Sequence, residues 1–93
     1  DVLDEVDTLA DASFERIIHD PPMFNLAGDL YSGEFYRSLY RVLAPRGRLY
    51  HYVGDPESPS GRSATNGALR RLQQAGFSRV VRRPEAFGLL AFK

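Results

Sequence analysis

Apolar and polar positions change period several times along this chain, and each change marks a new element. In Phe14-Glu15-Arg16-Ile17-Ile18-His19 two β-branched residues stand side by side. Such a pair suits a short strand covered on both faces. Phe35, Leu39, Val42 and Leu43 then recur at i, i+4, i+7 and i+8, widened by Tyr36 and Tyr40, with Arg37, Ser38 and Arg41 opposite. That is an amphipathic helix, with Ser32 as its cap and Glu34 at its positive end. Arg48 to Val53 reads as a second strand. Ala64, Ala68, Leu69, Leu72 and Ala75 form the stripe of another helix, and Gly76 is a good stop. Ser78 to Arg83 is a third strand around Val80 and Val81, and Phe87 to Phe92 a fourth. Ahead of all these, Val2, Val6 and Leu9 fall on one side of a short helix that Asp1 can cap.

Proline and glycine supply the punctuation. Asp20-Pro21-Pro22 and Gly54-Asp55-Pro56 end the first two strands, and Pro45-Arg46-Gly47 ends the helix between them. A strand, a crossover helix and a strand at this spacing make a right-handed unit with parallel strands. Pro84-Glu85 is too short for a crossover, so the last strand should be antiparallel. The fold class is α/β, in the order helix, strand, helix, strand, helix, strand, strand. Parallel pairing brings Asp20 and His51 or Tyr52 toward one crevice, where open α/β sheets bind ligands. His51 is then a candidate base or substrate contact, although a histidine in a strand is more often a satisfied structural residue.

Ninety-three residues bound the chain to one domain at most. Without cysteine there is neither a disulfide framework nor a thiolate metal site, and no metal is expected. No apolar run reaches membrane-spanning length and no secretory signal stands out, so the cytoplasm is the default location. The net charge is zero but unevenly placed: residues 1–36 hold nine Asp/Glu and only Arg16, whereas residues 37–93 hold eleven Lys/Arg. The arginines are scattered along the sequence, which favours solvated faces over a nucleic-acid surface. The competing reading is a non-catalytic domain that binds RNA or protein through Arg62, Arg70, Arg71, Arg82 and Arg83.

The Asp20-Pro21-Pro22 loop carries the candidate chemistry. Asp20 can accept a hydrogen bond from an amino group. A proline-stiffened backbone can aim carbonyl oxygens at the same nitrogen, which is catalysis by positioning. The loop resembles the (Asn/Asp)-Pro-Pro-(Tyr/Phe) motif of class I S-adenosylmethionine-dependent amino-methyltransferases. Met23 stands at the aromatic position, with Phe24 one residue later. Leu43-Ala44-Pro45-Arg46-Gly47-Arg48-Leu49 is similar to the Leu-x-Pro-Gly-Gly-x-Leu turn of that family, and Ala75-Gly76-Phe77 to the segment before its sixth strand. The segments around Ile17, Tyr36 and His51 look like a group of mostly archaeal methyltransferases of unassigned substrate.

The resemblance implies the carboxyl-terminal half of a Rossmann-like methyltransferase sheet, acting on an amino nitrogen with S-adenosylmethionine as cofactor. It implies Asp20, Pro21 and Pro22 as the catalytic loop, with Met23, Phe24, His51 and Tyr52 toward the substrate. Asp1, His19 and Asp20 would lie toward the cofactor. An aminopropyl transferase shares this fold and is the variant reading. The family's Gly-rich loop and second-strand carboxylate do not stand in these 93 residues. The expectation is therefore a partial domain, inactive by itself. Its Arg16–Asp20 strand edge would be covered by an amino-terminal half or by another chain, a second copy included.

Overall fold

The computed structural model describes residues 9–20 and 32–93. The helix expected around Val2 and Val6 lies outside the described residues. Within them the order is β1 (Phe14–His19), α1 (Gly33–Val42), β2 (Leu43–Tyr52), α2 (Pro59–Ala75), β3 (Arg79–Arg83), a single 3₁₀ turn (Pro84–Ala86) and β4 (Gly88–Phe92). The sheet runs β1-β2-β4-β3, with β1 parallel to β2 and both pairs that involve β4 antiparallel. The α/β class, the parallel first pair and the antiparallel last strand are thus as the sequence indicates.

Both helices are capped as their sequences require. The Ser32 hydroxyl accepts from the Phe35 amide at 3.1 Å, and Glu34 sits in the first turn of α1. The second helix starts at Pro59, ahead of its apolar stripe. Ser58 caps it, accepting from the Gly61 amide at 2.9 Å, and Pro59 occupies the first turn, where its missing N–H costs nothing. Gly76 ends α2 in the left-handed region at φ 116°.

The two helices bury their apolar stripes against one face of the sheet. Phe35, Tyr36, Leu39 and Val42 of α1 and Ala68 and Leu72 of α2 close over Leu49, Leu89 and Ala91, with Phe77 and Val53 at the margins. Strand side chains alternate, so Arg48, Tyr50, Tyr52, Leu90 and Phe92 project on the other face, where no described helix packs.

One departure lies at the start of β2. The strand begins at Leu43, immediately after α1, instead of at Arg48. From Phe14↔Leu43 to Arg16↔Arg48, five residues of β2 stand against two of β1, so Pro45 is carried on a bulge. Arg46 takes φ 66° there. Gly47 makes the tight return, since a Cβ on it would lie 2.7 Å from the Ala44 carbonyl oxygen. Lys93 ties the bulge down: its amide donates to the Gly47 carbonyl at 2.9 Å and its ammonium to the Leu43 carbonyl at 2.6 Å.

Candidate active site

The site to consider is the edge where β1 and β2 both end. His19 pairs with His51 in register, so the next residues, Asp20 and Tyr52, emerge side by side at the carboxyl ends of parallel strands. Asp20 is exposed. Tyr52 is half-buried, and its ring meets Phe87 edge-on at 6.4 Å. Phe87 follows the 3₁₀ turn in the left-handed region at φ 57° and is 42% exposed, which sets an aromatic ring on the rim.

The two histidines sit underneath, on the helix-covered side. His51 is fully buried. Its Nδ1 lies 3.3 Å from the His19 carbonyl oxygen and its Nε2 2.7 Å from the Tyr36 hydroxyl. A carbonyl can only accept, so Nδ1 carries the proton and Tyr36 donates to Nε2. The His19 ring stacks at 4.5 Å from that of His51 and 5.0 Å from Phe35. Burial lowers the His51 pKa to about 3, with the adjacent His19 adding to the effect, so the imidazole is neutral at physiological pH. Its ring nitrogens are turned to internal partners, and one of those partners is the carbonyl that immediately precedes Asp20. The buried histidine is a strut beneath the rim.

Tyr50 works on the opposite face. Its hydroxyl donates to the Ala86 carbonyl, fixing the turn that presents Phe87. Its ring lies across β4, where a Cβ on Gly88 would fall 2.8 Å from the phenol oxygen. Burial pushes the Tyr50 phenol up, and Tyr52, Asp20 and Glu85 push it further. Asp20 therefore acts electrostatically on the open side of the sheet. A cavity of about 50 Å³, lined by Gly54, Thr65, Arg82 and Phe87 among others, opens beside the rim.

Of the residues the sequence nominates, Asp20, Tyr52, His19 and His51 are brought together at this edge. His19 and His51 face the core, and Asp20 and Tyr52 reach solvent. Pro21, Pro22, Met23, Phe24 and Asp1 lie outside the described residues. Tyr36 was not foreseen as the partner of His51, nor Phe87 as a rim residue. The only signal for Tyr36 was its place beside the apolar stripe of α1.

No family model matches the chain. An uncharacterised protein of Methanocaldococcus jannaschii is 47% identical over 94 residues, an alignment that spans all of this chain and 33% of the relative. Among solved structures, a candidate DNA modification methylase of Thermus thermophilus superposes with a TM-score of 0.74 at 20% identity, over 100% of this chain and 51% of that one. The same methylase in complex with S-adenosyl-L-methionine gives 0.63 at 16% identity over 99% of this chain and 49% of that one. Spermidine synthase of Thermotoga maritima gives 0.68 at 19% identity, over 97% and 31%. The chain thus spans a third of the relative and about half of the methylase. The fold is that of the carboxyl-terminal half of a methyltransferase-like α/β domain.

Proposed function

We propose that this chain forms the acceptor-holding part of an S-adenosylmethionine-dependent methyltransferase that acts on an amino nitrogen. The observation that carries the proposal is the placement of Asp20, exposed beside Tyr52 at the carboxyl ends of two parallel strands. In open α/β sheets this is the ligand-binding edge. Likeness to a fold solved with S-adenosyl-L-methionine supports it.

The chemistry asked of the chain is modest. The Asp20 carboxylate accepts an N–H hydrogen bond from the acceptor amine. The Pro21–Pro22 pair, whose rings restrict the backbone, is suited to offer carbonyl oxygens to the same nitrogen and so to hold its lone pair in one direction. Met23 and Phe24 are suited to pack on the acceptor. The backbone at His19 is the described group suited to hold S-adenosylmethionine, which would supply an electrophilic methyl group. His51 fixes the His19 carbonyl, and with it the take-off point of the loop.

The free edge of the sheet fits the same reading. Among the described residues β1 has a neighbour on one side only. An apolar cleft of about 260 Å³, lined by Leu9, Phe14, Ile17, Leu39 and Val42 together with Arg16, runs beside it. Such an edge is suited to a further strand, from the same protein or from another chain.

The test is a transfer assay on the longer M. jannaschii relative with labelled S-adenosylmethionine and a panel of amines, nucleobases and peptides. The expected product is an N-methyl compound, identified by mass spectrometry. Methylation of oxygen or carbon, or no transfer to any amine, would overturn the proposal. Likeness to spermidine synthase favours aminopropyl transfer as the second reading, and mass spectrometry separates the two products.

A further inference from the structure

The fold gathers on one face arginines that are far apart in the sequence. Arg16 pairs with Arg48, Arg48 with Phe92, and Phe92 with Arg79. Residues at one register share a face, so a single row crosses all four strands: Arg16, Arg48, Phe92, Arg79. Arg48 and Arg79 both stack on the half-buried Phe92 ring, at 5.4 and 5.5 Å from its centroid. Arg46, on the bulge, joins Arg16 and Arg48 around a cleft of about 270 Å³ that Glu15 also lines.

All four arginines are exposed, and none forms an ion pair with a described carboxylate. Like charges directly opposite one another on a sheet are destabilising. Four guanidiniums on one surface, with no described carboxylate paired to them, therefore favour an anion that bridges them. Along the same face the phenol end of Tyr50 reaches Gly88, and Tyr52 follows it on the strand. Exposed arginines beside aromatic rings on an open sheet meet the two needs of a single-stranded nucleic acid: cations for its phosphates and flat surfaces for its bases.

We infer that the face of the sheet that no described helix covers is a binding surface for single-stranded nucleic acid, with Arg16, Arg46, Arg48 and Arg79 on the phosphates and the aromatic rings beneath the bases. The surface differs from the one indicated by the sequence, where Arg62, Arg70, Arg71, Arg82 and Arg83 were the candidates. It stands independently of the amine-holding role of Asp20. An acidic protein would satisfy the charges but would leave the flat rings without planar partners.

The probe is a short labelled oligouridylate, titrated with the 93-residue chain and followed by fluorescence anisotropy. With four phosphates neutralised, affinity should fall about 50-fold between about 50 and 200 mM salt. Arg48→Gln and Arg79→Gln, both at exposed positions, should each weaken binding and flatten the salt dependence, whereas Arg62→Gln with Arg70→Gln should leave it unchanged. The single strand should bind more tightly than a duplex of the same length. The inference is overturned by no binding at low salt, by equal loss in the Arg62/Arg70 variant, or by preference for the duplex. It is also overturned if light scattering shows a dimer that Arg48→Gln dissociates, since the face would then be taken by a second copy.

Discussion

The hydroxyl of Tyr36 donates to Nε2 of His51 at 2.7 Å, beneath the edge where Asp20 leaves the sheet. Through Nδ1 the same imidazole holds the His19 carbonyl at 3.3 Å. One buried ring thus joins the crossover helix α1 to the carboxyl ends of both parallel strands.

Acid should destabilise the fold through this ring. In the unfolded chain His51 titrates near its ordinary value of about 6.5, while in the folded chain its pKa is about 3. Between those values the unfolded state binds the extra proton, so stability falls as pH is lowered from about 6.5 toward 3. Burial, the neighbouring His19 and the Arg71 charge all oppose protonation of the folded form. The expected loss is about 1.4 kcal/mol per pH unit at most. Urea unfolding across this range checks it, and His51→Gln should flatten the acid slope.

Tyr36→Phe keeps the packing of a fully buried ring and removes the donor to Nε2. An unmet buried acceptor costs about 1–3 kcal/mol. Chemical denaturation should show that loss with an unchanged m-value. A change within about 0.3 kcal/mol would mean that another donor takes over.

Gly61 and Gly54 should respond differently to alanine. A Cβ on Gly61 would fall 1.7 Å from the Asp55 carbonyl oxygen, because the first turn of α2 rests on that backbone. The chain must shift, at a cost of about 2 kcal/mol or more. Gly54 has nothing within 4 Å and only an unfavourable φ of 133°, so Gly54→Ala should cost about 1 kcal/mol from strain. Thermal melts of the two variants rank them.

The elements that local pattern can specify were legible. The stripe read from the sequence is buried at all four positions, Phe35, Leu39 and Val42 on α1 and Leu43 at the start of β2. Gly76 stops α2, and the short Pro84-Glu85 connection returns the chain antiparallel. The bulge at Pro45 was read as a turn because proline signals a break; only the pairing partner shows that the strand continues around it. The Tyr36–His51 contact depends on how α1 rotates over the sheet, which no local spacing states. The arginine row depends on register: positions 16, 48 and 79 meet only because three separate strand pairings align them. At the candidate site the residue types of the loop were legible, and so was the common edge of Asp20 and Tyr52 from the parallel pairing; the structure adds the buried strut beneath it.

Asp20→Ala is the substitution that bears most directly on the account. Made at the matching residue of the longer M. jannaschii relative, it leaves the sheet intact, since Asp20 lies beyond the end of β1 and is exposed. The measurement is single-turnover methyl transfer to an amine, with calorimetric titration of S-adenosylmethionine on the same sample. The account predicts that transfer falls by about 100-fold or more while cofactor affinity changes little, because the carboxylate orients the acceptor nitrogen. Transfer retained at the unsubstituted rate would contradict the amine-holding role of the Asp20 loop.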